Sequence, residues 1–202
     1  MPFLIFGLTV IIISIFASYR NRHSRLQDEA NQNFWDREAA ANNVRRQDIS
    51  GLSYITIPTE IFSIDSVSDN AVNDAITALS ALQEKKILNL GGLSNTDLKM
   101  QYGPANLAIL TEYDQNYTDM LLAISSLANR LIELDLTELA IPALEFAVST
   151  GTDISIHYTI LANYYKQHGK EEKITELKSQ AEKLNSLMQQ SILSKIDAIV
   201  SA

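Results

Sequence analysis

The chain has 202 residues and no cysteine, and it contains only three histidines, one tryptophan and four prolines. Without cysteine there is no disulfide framework, no thiolate metal site and no cysteine nucleophile, and three histidines give little material for a histidine metal cluster. A Ser-His-Asp arrangement has no support in three scattered histidines. Basic residues are also scarce, 16 Lys and Arg against 24 Asp and Glu, a net charge of −8. The deficit is uneven: residues 49–165 hold four basic and fourteen acidic side chains, whereas 20–48 and 166–202 each hold six basic and five acidic. Nucleic-acid binding depends on clustered Lys and Arg that displace counterions, so an acidic body disfavours it.

Charge of either sign is missing altogether from Phe3 to Tyr19. This run of 17 residues, FLIFGLTVIIISIFASY, reads as a helix of about 25 Å, the lower end of what crosses a hydrocarbon core. It is apolar on every side, unlike a core helix with a polar stripe. Only Met1 and Pro2 precede it, and no Ala-x-Ala pattern follows, so an uncleaved anchor fits better than a signal peptide. Arg20, Arg22, His23 and Arg25 come next, and the positive-inside tendency then places the bulk of the chain in the cytoplasm. The expectation is a single-pass protein of the cell membrane, held in the lipid bilayer by residues 3–19, with Tyr19 at headgroup depth and the arginines against anionic lipid.

Residues 20–47 are polar, of mixed charge and free of proline and glycine, which predicts a helical stalk with a thin stripe of Leu26, Ala30, Phe34, Ala41 and Val44. Phe34 and Trp35 stand out there, either as an attachment point for a partner or membrane surface or as packing against the domain. Residues 48–64 change character. Gly51 breaks the helix, Tyr54 to Ile57 favour extended backbone and Pro58 biases Ile57 away from helical geometry, so a strap is expected.

Residues 65–202 read as an α-helical domain, and the fold class is all-α with an N-terminal transmembrane helix. Ser66 and Asp69 form a capping-box pattern before a helix over about 67–89, which Gly91-Gly92 end. Ser94 or Asn95 caps a short turn through Met100, and Pro104 opens a helix to about Tyr113. Two later stretches, 121–154 and 155–188, agree when offset by 34: Leu127 with Leu161, Ala128 with Ala162, Asn129 with Asn163, Leu131 with Tyr165, Asp135 with Gly169, Ala140 with Ile174 and Ala147 with Ala181. A period of this length points to stacked helix pairs. Pro142 implies a late start or a bend in its helix. The final stripe of Leu184, Leu187 or Met188, Ile192, Ile196 and Ile199 suits either a helix sealing the last pair or a face for self-association.

On these residues the chain resembles the tetratricopeptide repeat family over about 70 residues. Departures are the missing turn glycine in the first copy, Ile124 where the family has a bulky aromatic, and Thr152 and Ser186 in place of the terminal proline. The overall layout resembles membrane-anchored hypothetical proteins of clostridial bacteria, which implies no known activity. By the repeat resemblance, the first helix of each pair lines a concave groove, here carrying Ser125, Asn129 and Ile132 from one copy and Thr159, Asn163 and Lys166 from the next. Asn129 and Asn163 offer amide donors and acceptors for a peptide backbone. Ser125 stands where a carboxylate clamp would have a basic residue, so capture of a peptide C-terminus is not implied.

Catalytic chemistry finds little to use. Asp153 and His157, four apart on a helix, make half a metal site with no second pair, and Asp153 reads more simply as a helix N-cap. Glu112, Asp114 and Asp119 lack the ordered spacing of a calcium loop. Gly91-Gly92 lacks the lysine and strand of a phosphate loop. The expected role is therefore a non-enzymatic, cofactor-free scaffold binding an unidentified protein or peptide. The alternatives are the same domain outside the cell, or a metal-dependent enzyme built from dispersed carboxylates.

Overall fold

The computed structural model describes the backbone of residues 2–62, 64 and 67–201; most side chains between 2 and 26, and that of Phe62, lie outside the described set. It is all-helical. The described helices are α1 (Pro2–Asn42), α2 (Asn70–Leu82), α3 (Asn95–Tyr102), α4 (Leu107–Glu133), α5 (Thr137–Ser149), α6 (Ser155–Gln167), α7 (Glu171–Glu182) and α8 (Gln189–Ser201), with short 3-10 turns at Thr59–Phe62 and Pro104–Asn106. The only extended pairing among the described residues is a single antiparallel bridge between Ile55 and Ile87. Among the described residues no helix is long and apolar enough to cross a membrane. Most side chains of the expected anchor, residues 3–19, lie outside that set. The chain divides into two compact units, residues 1–47 with 94–107 and residues 48–93 with 108–202.

In the first unit α1 continues without a break from the apolar run into the polar segment, because nothing between them interrupts helical hydrogen bonding. It stops at Asn42 rather than near residue 47. The last turns are not a free stalk: Ala41 is fully buried, and Arg37 meets Asp97 of α3 at 2.9 Å. Glu38 accepts from Lys99 and from Thr96 Oγ1, and these bonds, Lys99 first, hold its carboxyl below the usual range. After α1 the backbone must run extended so that Gln47 N–H can donate to the Tyr102 carbonyl at 3.0 Å. Asn106, fully buried, locks this crossing. Its Nδ2 donates to the carbonyls of Gln47 at 2.8 Å and Tyr102 at 2.7 Å, and its Oδ1 accepts from Arg46 Nε at 3.0 Å. Gly103 lies in the left-handed region at φ 82°, and a Cβ there would stand 2.7 Å from the Arg45 carbonyl oxygen. The α3 cap follows the sequence: Ser94 and Asp97 form a reciprocal capping box.

The second unit has one core. The segment after Asp48 lies along it, contributing Ile57, Ile61 and Ile64, all buried. Asp69 caps α2 by accepting from Ala71 N and Val72 N, and Arg130 of α4 grips the same carboxylate through two nitrogens at 2.7 and 3.1 Å. The helix ends at Leu82, well before residue 89. Ile87 is needed for the bridge to Ile55, and Leu88 N–H donates to the Tyr113 carbonyl, so tertiary pairing outweighs local helix propensity. The break expected near Tyr113 does not occur either. Asn116, polar and 5% exposed, sits inside the continuous α4 because its Nδ2 donates to the Lys86 carbonyl at 3.0 Å.

The 34-residue offset is present in three dimensions. Asp135 N–H donates to Ile132 O at 3.0 Å and Leu136 N–H to Leu131 O at 2.8 Å; 34 residues on, Gly169 N–H donates to Lys166 O at 3.1 Å and Lys170 N–H to Tyr165 O at 2.8 Å. These are paired helix-terminating bonds around one left-handed residue, Asp135 at φ 58° and Gly169 at φ 65°. The matched apolar positions are all buried, with Ala128, Ala140, Ala147, Ala162 and Ala181 at 0–1% exposure where helices approach closely. Pro142 lies inside α5, which begins at Thr137 with no late start. Its ring is exposed, and it supplies no N–H to the Glu138 carbonyl one turn back. Helix α8 packs on α6 and α7. Ile192 and Ile196 are fully buried there, which leaves Leu187 and Met188 as the exposed members of the C-terminal stripe.

Candidate partner-docking site

Of the six residues expected to line a groove, four spend their polar groups within the fold. Ser125 Oγ donates to the Leu121 carbonyl at 2.7 Å and lies 2.7 Å from His157 Nε2. Thr159 Oγ1 donates to Ile156 O at 3.0 Å, Asn163 Nδ2 to Thr159 O at 2.8 Å, and Lys166 Nζ to Ile199 O at 2.7 Å near the end of α8. Ile132 is half-buried, and Asn129 is exposed. Asn129 and Asn163 therefore both reach solvent, the second with an intrahelical bond.

The Ser125–His157 contact invites a catalytic comparison, and the proton directions decide it. Thr152 Oγ1 accepts from Ile154 N–H at 3.2 Å and lies 3.3 Å from His157 Nδ1. One tautomer satisfies every bond: Thr152 O–H donates to Nδ1, Nε2–H donates to Ser125 Oγ, and the Ser125 hydroxyl donates to Leu121 O. The imidazole thus gives a proton to serine and receives none from it, the opposite of nucleophile activation. Among the described residues no carboxylate orients the ring, and burial depresses the His157 pKa to about 4. It is a neutral strut between α4 and α6. Asp153 points elsewhere: it accepts from Ser186 Oγ at 2.7 Å and is not the cap of α6, whose N-cap position is Ile154. Asp153 and His157 therefore do not face one ligand.

The acidic trio is likewise dispersed. Asp114 Oδ1 accepts from Leu90 N–H at 3.0 Å, Asp119 Oδ1 from Gln115 Nε2 at 2.9 Å, and Glu112 is exposed. Among the described residues no group of three His, Asp or Glu side chains is placed to hold a metal ion. On α1, Phe34 and Trp35 stack edge to face at 5.3 Å and are 53% and 66% exposed, so they do not pack into a core as one reading of the sequence expected.

One concavity of the second unit carries no motif that announces a site. A cleft of about 810 Å³ opens between the loop at residues 89–92, the first half of α4, the turn before α6 and the loop between α7 and α8. Its floor is tied by Asn89, whose Nδ2 donates to Tyr117 Oη at 3.1 Å and to the Thr150 carbonyl at 2.9 Å. Burial pushes the Tyr117 hydroxyl up to about 12, so it stays protonated. Gly91-Gly92 serve this wall and cradle no phosphate: Gly92, at φ 82°, leaves a Cβ position only 2.6 Å from Asn185 Nδ2. Three large apolar side chains stand open on the cleft, Leu122 at 56%, Leu187 at 102% and Met188 at 40% exposure. Leu122 has a counterpart at the 34-residue offset, Ile156, also exposed at 44%. That outward pair is the sequence signal on the α4 side of the cleft, and on the other side the C-terminal stripe with Leu187 or Met188 already allows a binding face as one of its two readings.

No protein-family model, curated protein or solved structure matches this chain.

Proposed function

We propose that the chain is a membrane-anchored interaction scaffold, a tetratricopeptide-like helical array that binds another protein at the inner face of the cell membrane. The observation that carries this reading is the 34-residue recurrence of the helix-terminating turns, since it builds a rigid stack whose repeated outward positions, Leu122 with Ile156 and Asn129 with Asn163, present the same chemistry twice. Arrays of this kind act through extended surfaces rather than through reactive groups. The neutral Ser125–His157–Thr152 strut fits that role, because its protons are committed to holding helices together. The anchor rests on the charge-free run from Phe3 to Tyr19 and on Arg20, Arg22 and Arg25 behind it.

The test is photo-cross-linking in native membranes with a reactive side chain placed at Asn129, Asn163 or Leu122. Recovery of one discrete partner from these positions, but not from the exposed Gln180 on α7, supports the scaffold. Recovery of none from any position refutes it. Proteolysis of intact cells decides orientation: trimming of the helical array without lysis would place it outside, the second reading, for which the same anchor serves.

A further inference from the structure

We infer that the cleft between α4 and the α7–α8 loop is the docking site of this scaffold, and that its occupant is a short segment of another protein carrying bulky aliphatic side chains flanked by Lys or Arg. The inference rests on the scaffold reading and names the surface and the partner chemistry. Singly exposed leucines are ordinary on protein surfaces, but Leu122, Leu187 and Met188 all line one concavity. Leu187 has no cover at all, although the turn that carries it is tied down: Ser186 Oγ accepts from Met188 N–H at 3.2 Å and donates to Asp153. The rim is therefore fixed before any partner arrives. Gly92 against Asn185, and Asn89 against Thr150, fix the opposite wall in the same way. A preformed wall saves the ordering that a loose loop would require on binding.

Charge selects the occupant. The second unit holds nine Lys and Arg against nineteen Asp and Glu, a net of −10, while the first holds seven against five, a net of +2. On the cleft itself Asp114 and Asp153 face a single cation, Lys183. A second copy docking here through its own second unit would bring another −10 to the same surface, and an acidic peptide would be repelled likewise. A basic flank is attracted, and the aliphatic side chains it carries find the exposed Leu122, Leu187 and Met188.

The test uses the full-length chain in a nonionic detergent and an array of immobilised synthetic peptides in which leucine content and net charge vary independently. Retention is expected only on peptides that have both leucine and lysine. Leu122→Ser combined with Leu187→Ser should weaken it about tenfold or more, with the melting temperature unchanged because both side chains are exposed. Asp114→Asn with Asp153→Asn keeps the internal bonds to Leu90 and Ser186 and should weaken binding while flattening its salt dependence. Retention by charge alone, or retention unaffected by the leucine pair, overturns the proposal. So does a dimer in analytical ultracentrifugation that Leu187→Ser dissolves, which would give the cleft to a second copy. Loss of binding in Asn129→Ala with Asn163→Ala, and not in the leucine pair, overturns the cleft and leaves the scaffold standing. Absence of any retained peptide overturns the cleft as well, whereas the scaffold falls only if the native-membrane cross-linking also recovers nothing.

Discussion

Acidification from neutrality to pH 4 should expose the contribution of one side chain, His157. Its ring is fully buried, and burial lowers its pKa from 6.5 to about 4. Above pH 6.5 the ring is neutral in both folded and unfolded chains, so it adds no pH dependence. Between 6.5 and about 4 the unfolded chain takes up a proton that the folded one refuses, and stability falls as pH falls. Below about 4 both states are protonated and the loss stays constant. At about 1.4 kcal/mol per pH unit the loss accumulates to about 3 kcal/mol, a large part of the roughly 5–15 kcal/mol that holds an ordinary domain together. The geometry explains why the ring resists: a second N–H at Nδ1 would replace the acceptor that Thr152 O–H uses, and the charge would have no carboxylate beside it. The assay is urea unfolding of the full chain at half-unit steps of pH, beside His157→Gln. The variant should be less stable at neutral pH but should lack this component of the slope from 6.5 to 4. Carboxylates titrate in both proteins and cancel in the comparison. Superimposable slopes, or an NMR titration of the His157 ring with a midpoint near 6.5, would refute the reasoning.

Three further outcomes follow from the packing. Ala162→Leu and Ala181→Leu insert bulk where helices touch at 0% exposure and should each lower stability by about 1–3 kcal/mol, measured by thermal unfolding; Leu127→Ala, which opens a hole in the same core, should lose about 2–5 kcal/mol. Asp135→Gly relieves a left-handed residue with a Cβ and should raise stability by about 0.5–1 kcal/mol, whereas Gly169→Ala, at the equivalent turn, should lower it by a similar amount. Asp69→Ala removes both the cap of α2 and the partner of Arg130, so the melting temperature should fall; because Arg130 first, and the capped N–H groups after it, hold the Asp69 carboxyl down at about 2, that loss should be full at neutral pH and vanish as pH drops from 3.8 to about 2.

The parts legible in advance were those in which one segment carries its own signal. The α3 cap lies at Ser94, one of the two candidates beside Asn95, and the 34-residue register needs only the matched Leu, Ala and turn residues. Failures share a different cause. Residues 83–89 read as helix until Ile87 is required opposite Ile55, and residues 114–120 read as a break until Asn116 finds the Lys86 carbonyl. In both places a distant backbone group decides the local conformation. His157 illustrates the same limit for a site: its partners are Ser125, 32 residues away, and Thr152, so a metal-like spacing with Asp153 was the only pattern its neighbourhood displayed. The cleft draws on four segments spread from residue 89 to residue 188, and nothing local announces that Leu122 and Leu187 point outward onto one wall.

The unbroken course of α1 has a geometric consequence. An α-helix advances about 1.5 Å and turns about 100° with each residue, so the azimuth at which Arg37, Glu38 and Ala41 present themselves to α3 is locked to the azimuth of the backbone at the chain start. One residue inserted between 26 and 33 would swing the Phe34–Trp35 edge by about a quarter turn about the helix axis, whereas seven inserted residues would nearly restore its bearing and raise it by about 10 Å. A glycine pair at the same place would uncouple bearing from height. The first unit therefore behaves as a pointer on a shaft, and the phase of that shaft is a property that insertions of different length can set independently of every side chain on it.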